Sequence, residues 1–404
     1  MPRRRDSFQG YPFYEFFAGG GMARLGLGRS WRCTFANDWC EKKAAAYHEY
    51  FGGAEYKVGD VASLRPADLP GKPVLVWGSF PCQDLSLAGM RAGLAGARSG
   101  TFRPFWKLVR AMVREGRAPR IVVLENVTGA LSSHGGRDFT AIVRALAREG
   151  YRVGALVMDA VRFVPQSRPR LFIVAVQSGV AVPASSAAPE PSDVWHSESL
   201  RRAYHRLPAS LKRAWIWWNV PAPAGRVPAL ASVVEEQPAG TGWHVKTQTD
   251  HIIRLMAPLH RKKLREAQRA NRRVIGMIYR RTRQGVQRAE VRFDDVSGCL
   301  RTPAGGSSRQ TVLVVEGRRI RSRLLSPREA ARLMGVPDDY SLPERYNEAY
   351  HLFGDGVVVP VVRWLSDHLL TRLATAHAET SPGRGSTVNN HSVEGRNLRL
   401  LRRC

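Results

Sequence analysis

The sequence predicts an α/β protein built on an open, mostly parallel sheet. Short apolar runs alternate with stretches of helical periodicity. The runs are apolar almost throughout, as strands covered on both faces are. A glycine-rich turn follows the first run, where sheets of this kind bring backbone close to a ligand.

The elements follow in order. Residues 11–18 are apolar and aromatic and end in glycines. Residues 73–80 (PVLVWGSF) and 121–125 (IVVLE) read as buried strands. Between them Phe105, Leu108, Val109 and Met112 share one helix face, and Phe139, Ile142, Val143 and Leu146 repeat that spacing before Gly150. Residues 171–176 (LFIVAV) form another buried strand. After Val176 the composition changes: residues 178–192 are rich in Pro, Ser and Ala and read as a linker. The stretch to about 297 mixes helix and strand signals around Trp215, Trp217 and Trp218, which read as core. Order returns near Leu300, with a strand at 311–315 and a helix opened by Ser326-Pro327-Arg328-Glu329. That opening has a capping serine, a first-turn proline and a glutamate three residues on. A run at 357–362 leads into a last helix, and the polar residues after His377 read as a disordered tail. The domains expected are 1–176, a smaller basic unit at 177–298, a return to the first unit at 299–376, and the tail at 377–404.

A chain of 404 residues can bury a sizeable core, and its 44% hydrophobic share argues against wholesale disorder. No apolar run approaches the roughly 18 residues of a membrane span, and no secretory signal opens the chain. Five scattered cysteines lack the pairing of a disulfide framework or a zinc site, so a reduced setting and no metal are expected. The formal net charge of +28 attracts polyanions, nucleic acid first and anionic membrane surface second. Much of it is concentrated at 254–292, with Arg261, Lys262, Lys263, Arg272, Arg273, Arg280 and Arg281. That run reads either as a solvated basic helix pair or as phosphate contacts, and its density favours the second.

Four constellations carry chemistry. Gly19-x-Gly21-x-x-Arg24 departs from the dinucleotide fingerprint at its third position. With Asp38 placed for a ribose hydroxyl, Trp39 for stacking on an adenine and Asp60 for its amino group, it still outlines an adenosine pocket. A capping Asp38 and a core Trp39 are the plain alternative. Cys82, in Gly78-Ser79-Phe80-Pro81-Cys82-Gln83, follows a buried strand at the edge where ligands bind, and residues 89–100 read as a mobile lid. Glu125-Asn126-Val127 follows another strand; if the two strands are neighbours, a thiol and a carboxyl share one crevice, suited to nucleophilic attack with proton donation. Gln166-Ser167-Arg168-Pro169-Arg170 sends two arginines the same way, towards an anion or a carbonyl oxygen. Singly, Glu125 also reads as a helix cap and the arginines as a solvated edge.

Taken in order, FAGGG, NDW, GD, PCQ, ENV, QSRPR, RTP and FGDGVVVP resemble the C5-cytosine DNA methyltransferases over residues 13–176 and about 297–373. The resemblance implies a Rossmann-like S-adenosylmethionine-dependent methyltransferase sheet with a smaller target-recognition domain. It places Phe17, Ala18, Gly19, Gly21, Asp38, Trp39, Asp60, Val61, Pro81, Phe102, Asp355 and Val357 around S-adenosylmethionine. Cys82 would attack C6 of a flipped cytosine, Glu125 would engage N3, Arg170 would meet O2, and Arg168 would support the pocket. Gln83 and Arg98, with the basic residues above, would contact double-stranded DNA. A monomer in a bacterial cytoplasm or nucleoid is implied, and a separately encoded restriction endonuclease is a further partner that the chain does not record. Three positions depart from the family pattern: Glu15 for Asp, Met22 for a glycine, and Asp355 for Asn. Met22 threatens to crowd the cofactor turn, and Asp355 to repel a bound carboxylate. The other readings are the same chemistry on RNA and a catalytically silent DNA-binding scaffold. A nicotinamide oxidoreductase fails on the broken fingerprint.

Overall fold

The computed structural model describes residues 10–81, 101–283, 285–302 and 309–376. Seven strands form the main sheet: β1 (Tyr11–Phe16), β2 (Trp31–Asp38), β3 (Tyr56–Val58), β4 (Leu75–Gly78), β5 (Ile121–Val127), β6 (Tyr151–Asp159) and β7 (Pro169–Gln177). Their order is β3-β2-β1-β4-β5-β7-β6, and β7 runs antiparallel to both its neighbours. The order reverses between β1 and β4, the switch point at which open α/β sheets bind ligands.

Helices cover both faces, which is why the strands can be apolar throughout. α1 (Met22–Leu27) and α2 (Glu41–Phe51) lie on one face. The C-terminal helix Val359–Leu365 joins them there. α3 (Phe102–Arg114) and α4 (Arg137–Arg148) lie on the other, burying the apolar faces read from the sequence. The C-terminal helix approaches α1 so closely that a Cβ at Gly26 would sit 2.3 Å from Val362 Cβ. Arg363 donates to the carbonyls of Leu27 and Leu25, and Trp31 Nε1 to Ser366 Oγ at 3.0 Å, so this helix is tied to the end of α1 and the start of β2.

The middle of the chain builds a second layer. Strands Arg273–Arg283 and Val286–Arg292 form an antiparallel hairpin, followed in the sheet by Thr311–Glu316 and Arg319–Leu324. Helices Lys246–Arg254 and Pro258–Arg269 pack on one face around Ile252, Leu264, Ile278, Val291 and Leu313. The basic run is thus one helix and a hairpin, not a helix pair. The boundary expected at 298 falls inside this sheet, because Thr311–Glu316 pairs with Arg273–Ile278. Trp217 and Trp218 are buried as read, with Trp215 packed on Phe139. No helix among the described residues is long and apolar enough to cross a membrane.

Candidate active site

Beyond β1 the chain turns sharply at Phe17 (φ +59°), Gly19 (φ +54°) and Gly21 (φ +77°). A phenylalanine in the left-handed region is strained, and the surroundings hold it there. Ala18 N donates to Asn37 O at 3.0 Å and Gly19 N to Asp38 Oδ2 at 3.0 Å. The other Asp38 oxygen accepts from Cys40 N at 2.9 Å, so this carboxylate braces the turn. The Tyr56 and Tyr340 hydroxyls donate to Gly19 O and Gly20 O. A Cβ on Gly20 would strike Tyr340 and Leu352, and one on Gly21 would strike Tyr47 and Phe51. At Gly19 it would meet nothing nearer than Lys43 Cδ at 3.8 Å. The turn is packed from below and open at Gly19.

Trp39 stands beside this opening, 73% exposed, so it is no core residue. Exposed Asp60 caps the short turn Val61–Ser63, accepting from Ala62 N at 2.8 Å. Val61 and Phe102 are buried, Phe102 stacking on Trp106 and tilting against Phe80. Glu15 is buried under the turn, and burial pushes its carboxyl up to about 8 although Arg24 opposes the shift. The crowding expected of Met22 falls elsewhere: its side chain is buried against Gly356.

A polar pocket lies next door. β4 and β5 are parallel neighbours with Gly78 opposite Leu124, which brings Ser79, Phe80 and Pro81 beside Glu125. Asn126 Nδ2 donates to Phe80 O at 3.2 Å and ties the two motifs together. Glu125 is 6% exposed. Burial raises its pKa, partly offset by Arg170, Arg168 and a hydrogen bond with Ser79. Arg170 Nε lies 3.3 Å from Glu125 Oε1. Cys82, Gln83, Arg98 and the expected lid lie outside the described residues.

Arg168 is 2% exposed and binds the rest of the molecule. It donates to the carbonyls of Leu300 (2.6 Å), Gly354 (2.8 Å) and Gly356 (2.7 Å). Gln166, also buried, donates to Leu333 O at 2.8 Å and accepts from Leu300 N at 3.0 Å. The motif therefore stitches three distant segments together, neither a solvated edge nor a pair of open cations. Both arginines reach Cys299 Sγ, at 3.3 Å from Arg168 and 3.9 Å from Arg170. Burial alone would raise that thiol, but Arg168, Arg170 and Arg301 bring it down to about 7. Val357 is buried, and Asp355 Oδ2 meets Lys43 Nζ at 2.7 Å.

Ser79, Cys299 and Lys43 escaped the sequence reading of the site. Ser79 and Cys299 adjoin recognised blocks and were within reach of it. Lys43 belongs to no recognised block, and its partner Asp355 lies 312 residues further along the chain.

The basic residues separate into groups. Arg261, Lys262 and Arg272 are exposed, and Lys263 is partly so. Arg273 is held by Glu236 and Glu316, which takes it out of the expected set of free cations. From Tyr279 to Glu290 the hairpin extends beyond its last rung with Thr311, and Ala289 on its outer strand bridges Met256 and donates to Leu255 O at 3.1 Å. Arg281 stands directly opposite Arg288 on this overhang.

The sheet order, the lone antiparallel strand and the site at the switch point define a Rossmann-like methyltransferase. A model of the family C-5 cytosine-specific DNA methylase matches residues 11–370. The chain belongs to that family. Type II methyltransferase M.HpaII of Haemophilus parainfluenzae is 26% identical over 93% of this chain and 93% of that protein. Type II methyltransferase M.NlaX of Neisseria lactamica is 26% identical over 90% of this chain and 97% of its own length. The crystal structure of S. pombe Dnmt2 methyltransferase shares the fold, with a TM-score of 0.56 at 15% identity, over 88% of this chain and 96% of that one.

Proposed function

We propose that the chain is a DNA (cytosine-5)-methyltransferase that uses S-adenosylmethionine and acts on a flipped cytosine in duplex DNA, as one half of a restriction–modification pair. The observation that carries this is Glu125: a buried carboxyl with a raised pKa, on the strand next to the Pro-Cys-Gln block and flanked by two arginines. The glycine turn fits the cofactor, being open at Gly19 with an exposed indole alongside. Trp39 would stack on the adenine, Asp38 and Asp60 would serve the ribose and the base, and Phe17 and Val61 would flank them. Bound there, the cofactor supplies an electrophilic methyl group.

The chain's own groups do the rest. The Cys82 thiolate adds to C6 while Glu125 delivers a proton to N3, which quenches the charge that addition develops. Arg170 holds O2, and Arg168 fixes the strand that carries Arg170. C5, now enamine-like, takes the methyl group; its proton then passes to solvent water, the C6–S bond breaks to release Cys82 as thiolate, and N3 returns its proton to Glu125. The exposed hairpin favours duplex DNA as the polymer, because a major groove admits a two-stranded ribbon. Arg281 and Arg288 face each other across it and suit a polyanion, Arg281 being answered on its own side by Glu290 at 3.9 Å and by the Tyr279 ring.

The test is transfer of tritiated methyl from S-adenosylmethionine to mixed-sequence duplex DNA, with structured RNA in parallel. Label recovered as 5-methylcytosine in DNA is expected, with Cys82→Ala inactive and Glu125→Gln slowed about 100-fold or more. Label in RNA alone would overturn the substrate. Tight DNA binding without label in either polymer would leave a silent scaffold.

A further inference from the structure

The Lys43–Asp355 pair joins the start of α2 to the end of the helix Tyr346–Asp355. Both partners stand where their own helix disfavours them. Lys43 is a cation in a first turn and Asp355 an anion in a last turn, each against the helix dipole. Helix stability therefore does not account for either. An ion pair this close to the surface also contributes little by itself, with the Asp355 side chain 45% exposed.

Its position is more informative. The Lys43 stem runs past Gly19, along the open side of the glycine turn. Asp355 sits between Gly354 and Gly356, whose carbonyls Arg168 holds, so its backbone is fixed to the pocket of Glu125. The pair thus lies at the junction of the glycine turn and the polar pocket, while Trp39 and Asp60 mark the end where a nucleoside would sit. Burial would drive Lys43 towards neutrality, but Asp355 and Asp38 keep it charged.

We infer that Lys43 and Asp355 together receive the zwitterionic amino-acid end of the cofactor, Lys43 meeting its α-carboxylate and Asp355 its α-ammonium. The inference rests on S-adenosylmethionine being the cofactor. An amino-acid end carries both charges a short distance apart, so it exchanges one ion pair for two without stranding a charge. Lys43 thereby cancels the repulsion that Asp355 alone would impose on a carboxylate. The demethylated product keeps the same charged end and is held by the same pair.

Equilibrium binding by the full chain tests this with three ligands: S-adenosylmethionine, S-adenosylhomocysteine, and 5′-methylthioadenosine, which lacks the amino-acid end. Lys43→Met is expected to weaken the first two about tenfold or more and to leave 5′-methylthioadenosine unchanged, its retained binding also reporting an intact fold. Lys43→Arg should recover most of the loss. An equal fall for all three ligands, or no fall for any, would overturn the inference. Wild-type chain that binds 5′-methylthioadenosine as tightly as S-adenosylhomocysteine would also overturn it, leaving the cofactor reading standing. Wild-type chain that binds none of the three would sink the cofactor reading itself.

Discussion

Glu15 is the residue at which burial and ionisation conflict most openly. It lies beneath the glycine turn with Oε2 unpartnered, and its carboxyl is pushed up to about 8. In the unfolded chain the same group ionises near 4.5. The folded state therefore holds a proton that the unfolded state has released between these values. Stability from Glu15 is full below about pH 4.5 and is lost as pH rises through 8, by on the order of 1 kcal/mol per pH unit. Glu15→Gln should flatten this stretch of the stability–pH curve and gain most above pH 8, as read by urea unfolding across the range. A curve parallel to wild type would show that Glu15 is ionised in the fold. The same burial logic gives Glu125 its raised pKa, opposed there by Arg170 at 3.3 Å as Arg24 opposes it at Glu15.

The hairpin Arg273–Arg283/Val286–Arg292 is the element that carries the case for a groove-reading surface. Replacing Arg281 and Arg288 together by alanine should leave the core intact, because both side chains are exposed and Ala289 and Val291 supply the packing. The slope of log affinity for DNA against log salt should fall by about 2, near 0.9 for each phosphate no longer neutralised. An unchanged slope would place the DNA elsewhere. This element also shows where the sequence was legible. Strands β1, β4, β5 and β7 and helices α3 and α4 could be read because a strand covered on both faces is apolar throughout and a covering helix is apolar on one side; β6, with Arg152 and Gly154 inside it, carries no such run. The hairpin could not, because its arginines sit on an exposed ribbon and obscure the alternation that marks a strand. The ordered motifs exposed the glycine turn, Glu125 and the two arginines, each close to a strand end. They could not expose Lys43, whose partner is 312 residues away.

For the molecule as a whole, Arg168 governs how the two halves of the chain meet. Its guanidinium answers three carbonyls in a site closed to water. Arg168→Met keeps much of the volume but strands those carbonyls, at a cost of about 3 kcal/mol or more. Urea unfolding should show the free energy of unfolding falling by that amount; a loss within about 0.5 kcal/mol, as for an ordinary surface change, would count against the clamp. The charge of +28 works on the same scale, drawing the chain to any polyanion.

The clamp also sets a schedule for synthesis. Arg168 leaves the ribosome with its partners Gly354 and Gly356 still 186 and 188 residues away. At roughly 10 residues per second, about twenty seconds pass before they follow. Through that interval the main sheet is translated to its last strand and β7 can pair with β5 and β6, but Arg168 lacks the carbonyls of Gly354 and Gly356. The nascent protein can assemble the sheet early and the pocket only near the end of translation. A chain cut short before residue 354 would carry Glu125 on its sheet without the clamp that ties Arg168 to Gly354 and Gly356.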